Sequence, residues 1–282
     1  MDLSLRRIRQ GRPYRLAARH GKRAVQRVTG GGRSPRQRRV FVAGVQRSGT
    51  NMLMQALERS LQTDVYHESD PRAFEGYEMH PPAVIDGLVR RSPAQLFVIK
   101  ALSELQDLPE LMERFAPAQT VWIYRDFHDV ANSMTASFRT VPDTVRRVAE
   151  EGEAAGWWGR GIAPETQEFL RRIMAQGPNA HSSAALMWYL RNRLFFDLGL
   201  DRDARVLLIR YEELVQEPEA ILKKVTDFLG MPYRRRLAKG IHAASVGRRP
   251  MPELDPEVEA ACQGLMQAFE ASRNRRPGTK EA

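Results

Sequence analysis

The stretch Gly44-Val45-Gln46-Arg47-Ser48-Gly49-Thr50-Asn51 brings together residue types that bind anions. Gly44 and Gly49 have the spacing of the G-x-x-x-x-G-K-[ST] loop. In that loop, backbone N–H groups and the positive end of the next helix converge on a phosphate. Here the lysine position of the pattern is Thr50, and the cation stands earlier, at Arg47. Without the lysine, the loop does not clamp a γ-phosphate in the usual way. It keeps the anion cradle and changes the ligand. A second pair of anion-binding residues is Arg125 and, eight positions on, Ser133. Arg125 offers a planar fork to a phosphate, and Ser133 adds a hydroxyl two helical turns later. Asp126 and Asp129, between them, suit a helix start.

Such groups need a rigid platform. Val40-Phe41-Val42-Ala43 is apolar throughout and reads as a buried strand that ends at Gly44. Residues 51–61 then place Met52, Leu53, Leu57 and Leu61 at helical spacing. Residues 96–99, 120–124 and 205–209 are further buried-strand runs. Helical stretches are expected at about 104–115, 127–138, 166–176, 182–198 and 217–229, with a closing helix over 256–271. Apolar strands alternating with helices predict an α/β fold, a parallel sheet with helices on both faces. The anion loop and Arg125 then fall at the ends of the first and third of these strands.

Composition narrows the function classes. The chain has 282 residues, 42% of them hydrophobic and 28% charged, and no apolar run long enough to span a membrane. The single cysteine, Cys262, excludes an intramolecular disulfide, argues against a cysteine-based zinc site and fits a reducing cytoplasm. The net charge of +10 is local. Residues 1–39 hold 13 Lys or Arg and one acid, whereas the remainder holds 31 bases against 33 acids. The chain therefore divides into a basic, flexible N-terminal arm, 1–39, and a near-neutral domain, 40–282. Gly30-Gly31-Gly32 and Ser34-Pro35 form a flexible break within the arm. The arm lacks the apolar core of a signal peptide. It suits a disordered tail, a transit-type segment, or a contact with an anionic membrane surface or polyanion. Specific nucleic-acid binding is not expected, because the body has no basic excess to form a second contact face.

The motifs together resemble those of sulfotransferases that use 3′-phosphoadenosine 5′-phosphosulfate (PAPS). Q-R-S-G-T after a strand resembles the family's 5′-phosphosulfate loop. Val121-Trp122-Ile123-Tyr124-Arg125-Asp126, followed by Ser133, resembles its 3′-phosphate motif. Ile209-Arg210-Tyr211-Glu212-Glu213-Leu214, then Pro218 and Phe228-Leu229-Gly230, resembles its R-Y-E-D-L segment and F-L-G ending. Ser245-Val246-Gly247-Arg248-Arg249 resembles an S-x-G-R segment of bacterial members. The resemblance spans residues 40–272 and omits the arm.

It implies a P-loop-like sulfotransferase core and a donor site made of Gln46, Arg47, Ser48, Gly49, Thr50, Asn51, Arg125, Ser133, Tyr211 and Arg248. Tyr211 falls where relatives place an aromatic beside the adenine. The product would be 3′-phosphoadenosine 5′-phosphate (PAP), and the chemistry requires no metal. Negative charge grows on the bridging oxygen as it leaves, so Arg47 and Lys100 are expected to stabilise it. Many cytosolic relatives carry a histidine base two residues after that lysine, but here the position is Leu102. Other relatives place a glutamate after the first helix, which matches Glu68; His67 and Asp70 are its neighbours and competitors. Met52 replaces an adenine-packing aromatic, and the late glycine-rich basic motif of cytosolic members is absent, which points to a bacterial-type relative. The acceptor would be a hydroxyl or amine of a carbohydrate or small molecule. Residues 139–181, with Trp157 and Trp158, are expected to cover it. Two other functions share these residues: a P-loop kinase-like nucleotide enzyme, and a catalytically silent binding protein of the same fold.

Overall fold

The computed structural model describes Lys22, Val25, Gln26, residues 37–244 and residues 246–274. The elements in chain order are β1 (Arg38–Ala43), α1 (Thr50–Glu58), β2 (Thr63–Tyr66), β3 (Phe74–Glu75), β4 (Glu78–Met79) and α2 (Pro82–Arg91). Next come β5 (Leu96–Ala101), α3 (Leu108–Arg114), β6 (Ala118–Tyr124), α4 (Phe127–Ser137), α5 (Val141–Glu151) and α6 (Pro164–Ala175). The last are α7 (Ala180–Asp197), β7 (Val206–Arg210), α8 (Tyr211–Gln216), α9 (Pro218–Phe228) and α10 (Pro256–Asn274).

Five strands form one sheet in the order β2-β5-β1-β6-β7. All of its pairings are parallel. Alternate side chains of each strand serve opposite faces. Phe41, Phe97, Ile99 and Trp122 pack with α7 and α10, where Trp188, Phe195 and Phe269 are buried. Val40, Val42, Val98 and Ile123 pack with Leu53 and Leu57 of α1 and with Leu214, Leu222 and Val225 of α8 and α9. Both faces are covered, which is why these strands read as unbroken apolar runs rather than as an alternation. Cutting Phe41 or Trp122 back to alanine removes a fully buried ring from such a layer, a loss of about 3–5 kcal/mol.

The chain leaves β1 toward β5 and β2 on one side and reaches β6 and β7 on the other. Open α/β sheets bind ligands at such a switch point, beyond the carboxyl ends of the strands. The loop after β1 lies there, flanked by the ends of β5 and β6.

β1 starts at Arg38, rather than at residue 40 as the apolar run suggested. Gln37 donates to the carbonyls of Ser92 and Ala94, at 3.2 and 3.0 Å. Lys22 Nζ donates to the Glu58 carbonyl (2.7 Å), and Gln26 Nε2 donates to the carbonyls of Leu61 (2.8 Å) and Thr63 (2.9 Å). These arm residues therefore touch the body at the start of β2. The rest of the arm up to residue 36, and Ser245, lie outside the described residues. Among the described residues no helix is long and apolar enough to cross a membrane.

Candidate active site

The loop after β1 turns back on itself, with Ser48 N–H on the Val45 carbonyl at 3.2 Å. Three of its residues have positive φ: Gly44 (141°), Arg47 (71°) and Gly49 (96°). A Cβ at Gly44 would collide with the Ile123 carbonyl of β6, and one at Gly49 would collide with the Tyr211 ring. Both positions therefore require glycine for space as well as for φ. Gly49 is the N-cap of α1 and makes no side-chain cap, and the first turn holds no acid. The positive end of α1 is thus left open. Ser48 is fully buried, and its Oγ has no hydrogen-bond partner among the described residues.

Three cations meet at this loop. Arg47 Nε donates to Ser133 Oγ at 2.8 Å, which ties the loop to α4. Arg125, at the end of β6, sends Nη1 to the Arg47 carbonyl (3.3 Å) and Nη2 to Asp129 (2.9 Å). Its guanidinium lies 4.5 Å from the Tyr211 ring centre. Lys100, in β5 and only 2% exposed, bonds Asn51 Oδ1 at 2.9 Å and Glu68 Oε1 at 2.8 Å. Burial lowers the Lys100 pKa; Glu68 opposes the shift, and the charge of Arg47 adds to it. Burial, then the charge of Arg125, lowers the Arg47 pKa as well. The cations are gathered closer than their mutual repulsion favours, which is the arrangement a polyanion relieves.

The turn that aims Arg125 is braced from several directions. Asp126 caps α4 by accepting from the N–H groups of His128 and Asp129. The Glu212 carboxylate accepts from Asp126 N–H (3.0 Å) and from Arg210 Nε (3.0 Å). Trp188 Nε1, on α7, donates to the Arg125 carbonyl at 3.0 Å. Arg210 and Glu212 thus form a structural pair, while Tyr211 between them is 3% exposed and closes on the loop.

One cavity of about 1020 Å³ collects these groups. Gln46, Arg47, Gly49, Thr50, Asn51, Glu68, Lys100, Arg125, Ser133, Tyr211 and Arg248 all line it, whereas Ser48 lies beneath the loop. The competitors of Glu68 are elsewhere. Asp70 holds Arg72 through two bonds of 2.9 and 2.6 Å, and His67 lies 3.5 Å from Glu58. Neither lines the cavity. Glu68 has one carboxylate oxygen on Lys100; the other, Oε2, is buried and accepts no hydrogen bond from the described residues. Leu102 lines the cavity at the histidine position of cytosolic relatives.

Asp129, read from the sequence as a residue of the helix start, joins Arg125 to the Gly247 N–H (3.2 Å), and Arg249 Nη1 donates to the Asn132 carbonyl (3.0 Å), so the segment after residue 245 docks on α4. Sequence reasoning missed other lining residues, Tyr77 among them. Tyr77, φ 73°, sits in the β3–β4 turn beside Gly76. Gly76 was the available turn signal, but strands of two residues carry no periodicity. Among the described residues no group of three or more His, Cys, Asp or Glu could hold a metal ion.

Solved structures with similar folds include a sulfotransferase domain from the curacin biosynthetic pathway. It is 18% identical, with a TM-score of 0.49, over 83% of this chain and 99% of that one. A sulfotransferase from Alicyclobacillus acidocaldarius is 13% identical, with a TM-score of 0.48, over 86% and 94%. A mouse sulfotransferase solved with PAP is 17% identical, with a TM-score of 0.47, over 85% and 88%. No curated protein matches the chain. The sulfotransferase domain model matches residues 37–247, which contain the loop, both cations of the following strand ends and Glu68, and the chain therefore belongs to the sulfotransferase family.

Proposed function

We propose that the chain transfers a sulfuryl group from PAPS to an acceptor hydroxyl or amine. The observation that carries this reading is the meeting of an uncapped phosphate-type loop, Arg47, Lys100, Arg125 and Glu68 in one cavity. The loop amides and Arg47 receive the 5′-phosphosulfate. Arg125 and Ser133 receive the 3′-phosphate, with Arg248 at the rim, and Tyr211 and Met52 border the nucleotide. The Ser48 hydroxyl, buried without a hydrogen-bond partner among the described residues, and the uncapped N-terminus of α1 support an anion at this loop.

In the reaction the acceptor oxygen attacks sulfur in line with the departing phosphate. The O–S bond to the acceptor forms and the S–O bond to the phosphate breaks, leaving its electron pair on PAP. Glu68 Oε2 takes the acceptor proton, while Lys100 fixes the carboxylate through Oε1. Arg47 and Lys100 stabilise the charge that grows on the bridging oxygen, a contribution of about 3–4 kcal/mol for one well-aimed donor. Glu68→Gln should lower turnover with PAPS by at least about 10²-fold while PAP affinity stays intact. Turnover within a few-fold of wild type would remove Glu68 as the base.

The kinase-like alternative predicts a different ligand. Melting of the full chain should rise by about 5–10 °C with PAP at about 100-fold over its Kd. A rise with magnesium-ATP and none with PAP would overturn the sulfotransfer reading.

A further inference from the structure

Arg125 stands between two residues that are themselves held, Tyr124 before it and Asp126 after it. Both holds lead to the same place, the C-terminal half of α10. Tyr124 closes β6, and its register partner on β7 is Arg210. Glu270 of α10 takes both. Its Oε1 accepts from the Tyr124 hydroxyl (2.8 Å) and from Arg210 Nη1 (3.0 Å). Arg210 extends the hold through Nε to Glu212 (3.0 Å), and Glu212 accepts from the Asp126 N–H (3.0 Å).

Arg273, one turn further along α10, completes the node. Its Nη1 donates to Glu270 Oε2 (2.9 Å) and to the Tyr124 hydroxyl oxygen (3.2 Å), and its Nη2 donates to Glu213 of α8. The Tyr124 ring lies on Phe269 of the same helix, with centres 4.4 Å apart and planes at 13°. Tyr124 is fully buried, and burial raises its pKa, so the phenol stays a neutral donor to Glu270. Most bonds of this network are charge-assisted, and a fully connected buried network fixes geometry more tightly than its members would singly. Among the described residues, none of α10 lines the cavity. The helix therefore acts on the site only through what it holds.

We propose that Glu270 and Arg273 are positioning residues for Arg125. They fix the chain on both sides of it and so set the aim of its guanidinium at the 3′-phosphate. The proposal rests on the donor reading above, in which Arg125 receives that phosphate. A planar fork delivers its bonds only when it is aimed, and a misplacement of about 1 Å forfeits much of them. Without the Glu270 charge, Arg210 and Arg273 lose their shared carboxylate, and the Tyr124 hydroxyl loses its acceptor. The turn then relaxes while the strands below it stay packed.

The test is equilibrium binding of PAP and 5′-AMP to the full chain and its variants. Glu270→Gln and Arg273→Met should each raise the Kd for PAP about tenfold and the Kd for 5′-AMP by less than about twofold. In an Arg125→Ala background, Glu270→Gln should change the PAP Kd by less than about twofold, because its effect passes through the missing guanidinium. Tyr124→Phe keeps the ring on Phe269 and removes only the hydroxyl. It should raise the PAP Kd about threefold, and it reads the same claim if Glu270→Gln does not fold. Glu257→Gln breaks an exposed ion pair with Arg172 in the first turn of α10 and should move neither ligand. Equal losses for PAP and 5′-AMP overturn the proposal, as does a Glu270→Gln loss that survives in Arg125→Ala or is matched by Glu257→Gln. Wild-type preference for PAP with variants that leave it unmoved overturns this inference alone. A wild-type chain that binds PAP no more tightly than 5′-AMP overturns the 3′-phosphate reading and this inference with it.

Discussion

The two sides of the cavity are made differently. The charged side is built at strand ends: the loop after β1, Lys100 of β5 and Arg125 after β6. Each cation there is held by a nearby acceptor: Ser133, Glu68 with Asn51, and Asp129. The opposite side is built from α4, α5, α7 and the tryptophan segment, and is tied together by the buried guanidinium of Arg191. The contrast shows how charge and shape are divided. Strand ends fix points, and so carry groups that must be aimed. Packed helices fix surfaces, and so carry groups that only need to fit.

The division predicts separable kinetic effects. Arg47→Ala should lower kcat by about 10²–10³-fold and leave the acceptor KM nearly unchanged. A large change in acceptor KM would mean that the two sides are not independent. Arg125→Ala should weaken PAP by about 10–100-fold, the loss of a charge-assisted bond worth about 1.5–3 kcal/mol. It should weaken 5′-AMP far less, and equal losses would refute a 3′-phosphate contact. Arg191→Met should do the reverse, raising the acceptor KM about tenfold while PAP affinity holds.

The smallest expected effect concerns Glu104, whose carboxylate accepts from the Met79 N–H (2.6 Å) and so holds the Tyr77 hairpin. Burial raises its pKa from 4.5 to about 7. The folded state therefore holds this proton more tightly than the unfolded chain. The associated stability is complete below about 4.5 and is lost as pH rises through about 7. Its size is on the order of 1–3 kcal/mol. The melting temperature of the native protein should fall by a few degrees between pH 5.5 and 8, and Glu104→Gln should flatten that slope. An unchanged slope in the variant would assign the effect to other groups.

The same contrast decided what could be read from the chain. The charged groups stand in or directly after apolar strand runs, with 46–51 after β1, Lys100 in β5 and Arg125 after β6, so pattern and position agree. The opposite wall gathers residues 77, 102, 134, 157 and 187, and each is an apolar or aromatic residue of the kind that fills any core. Only the fold reveals that they face a space. The sheet was equally uneven. β1, β5, β6 and β7 are apolar runs, but β2 was missed because Thr63 and Asp64 look like turn residues. Both are buried and satisfied locally: Thr63 Oγ1 donates to the Leu57 carbonyl (2.6 Å), and Asp64 accepts from the Tyr66 hydroxyl (3.1 Å). α5 was missed in the stretch expected to cover the acceptor. Pro142 looks like a breaker there, yet it stands in the first turn, where proline costs no helical bond.

Gly49 and Tyr211 lie far apart in the chain, and the ring of one occupies the place where the other would carry a side chain. In a set of homologous sequences the two positions should therefore vary together. A lineage that acquires a side chain at 49 must shrink 211 and also move the backbone out of its positive φ of 96°, and one that keeps the ring cannot leave glycine. The pair acts as a lock on the order in which substitutions become tolerable, set by one van der Waals contact and one backbone angle together.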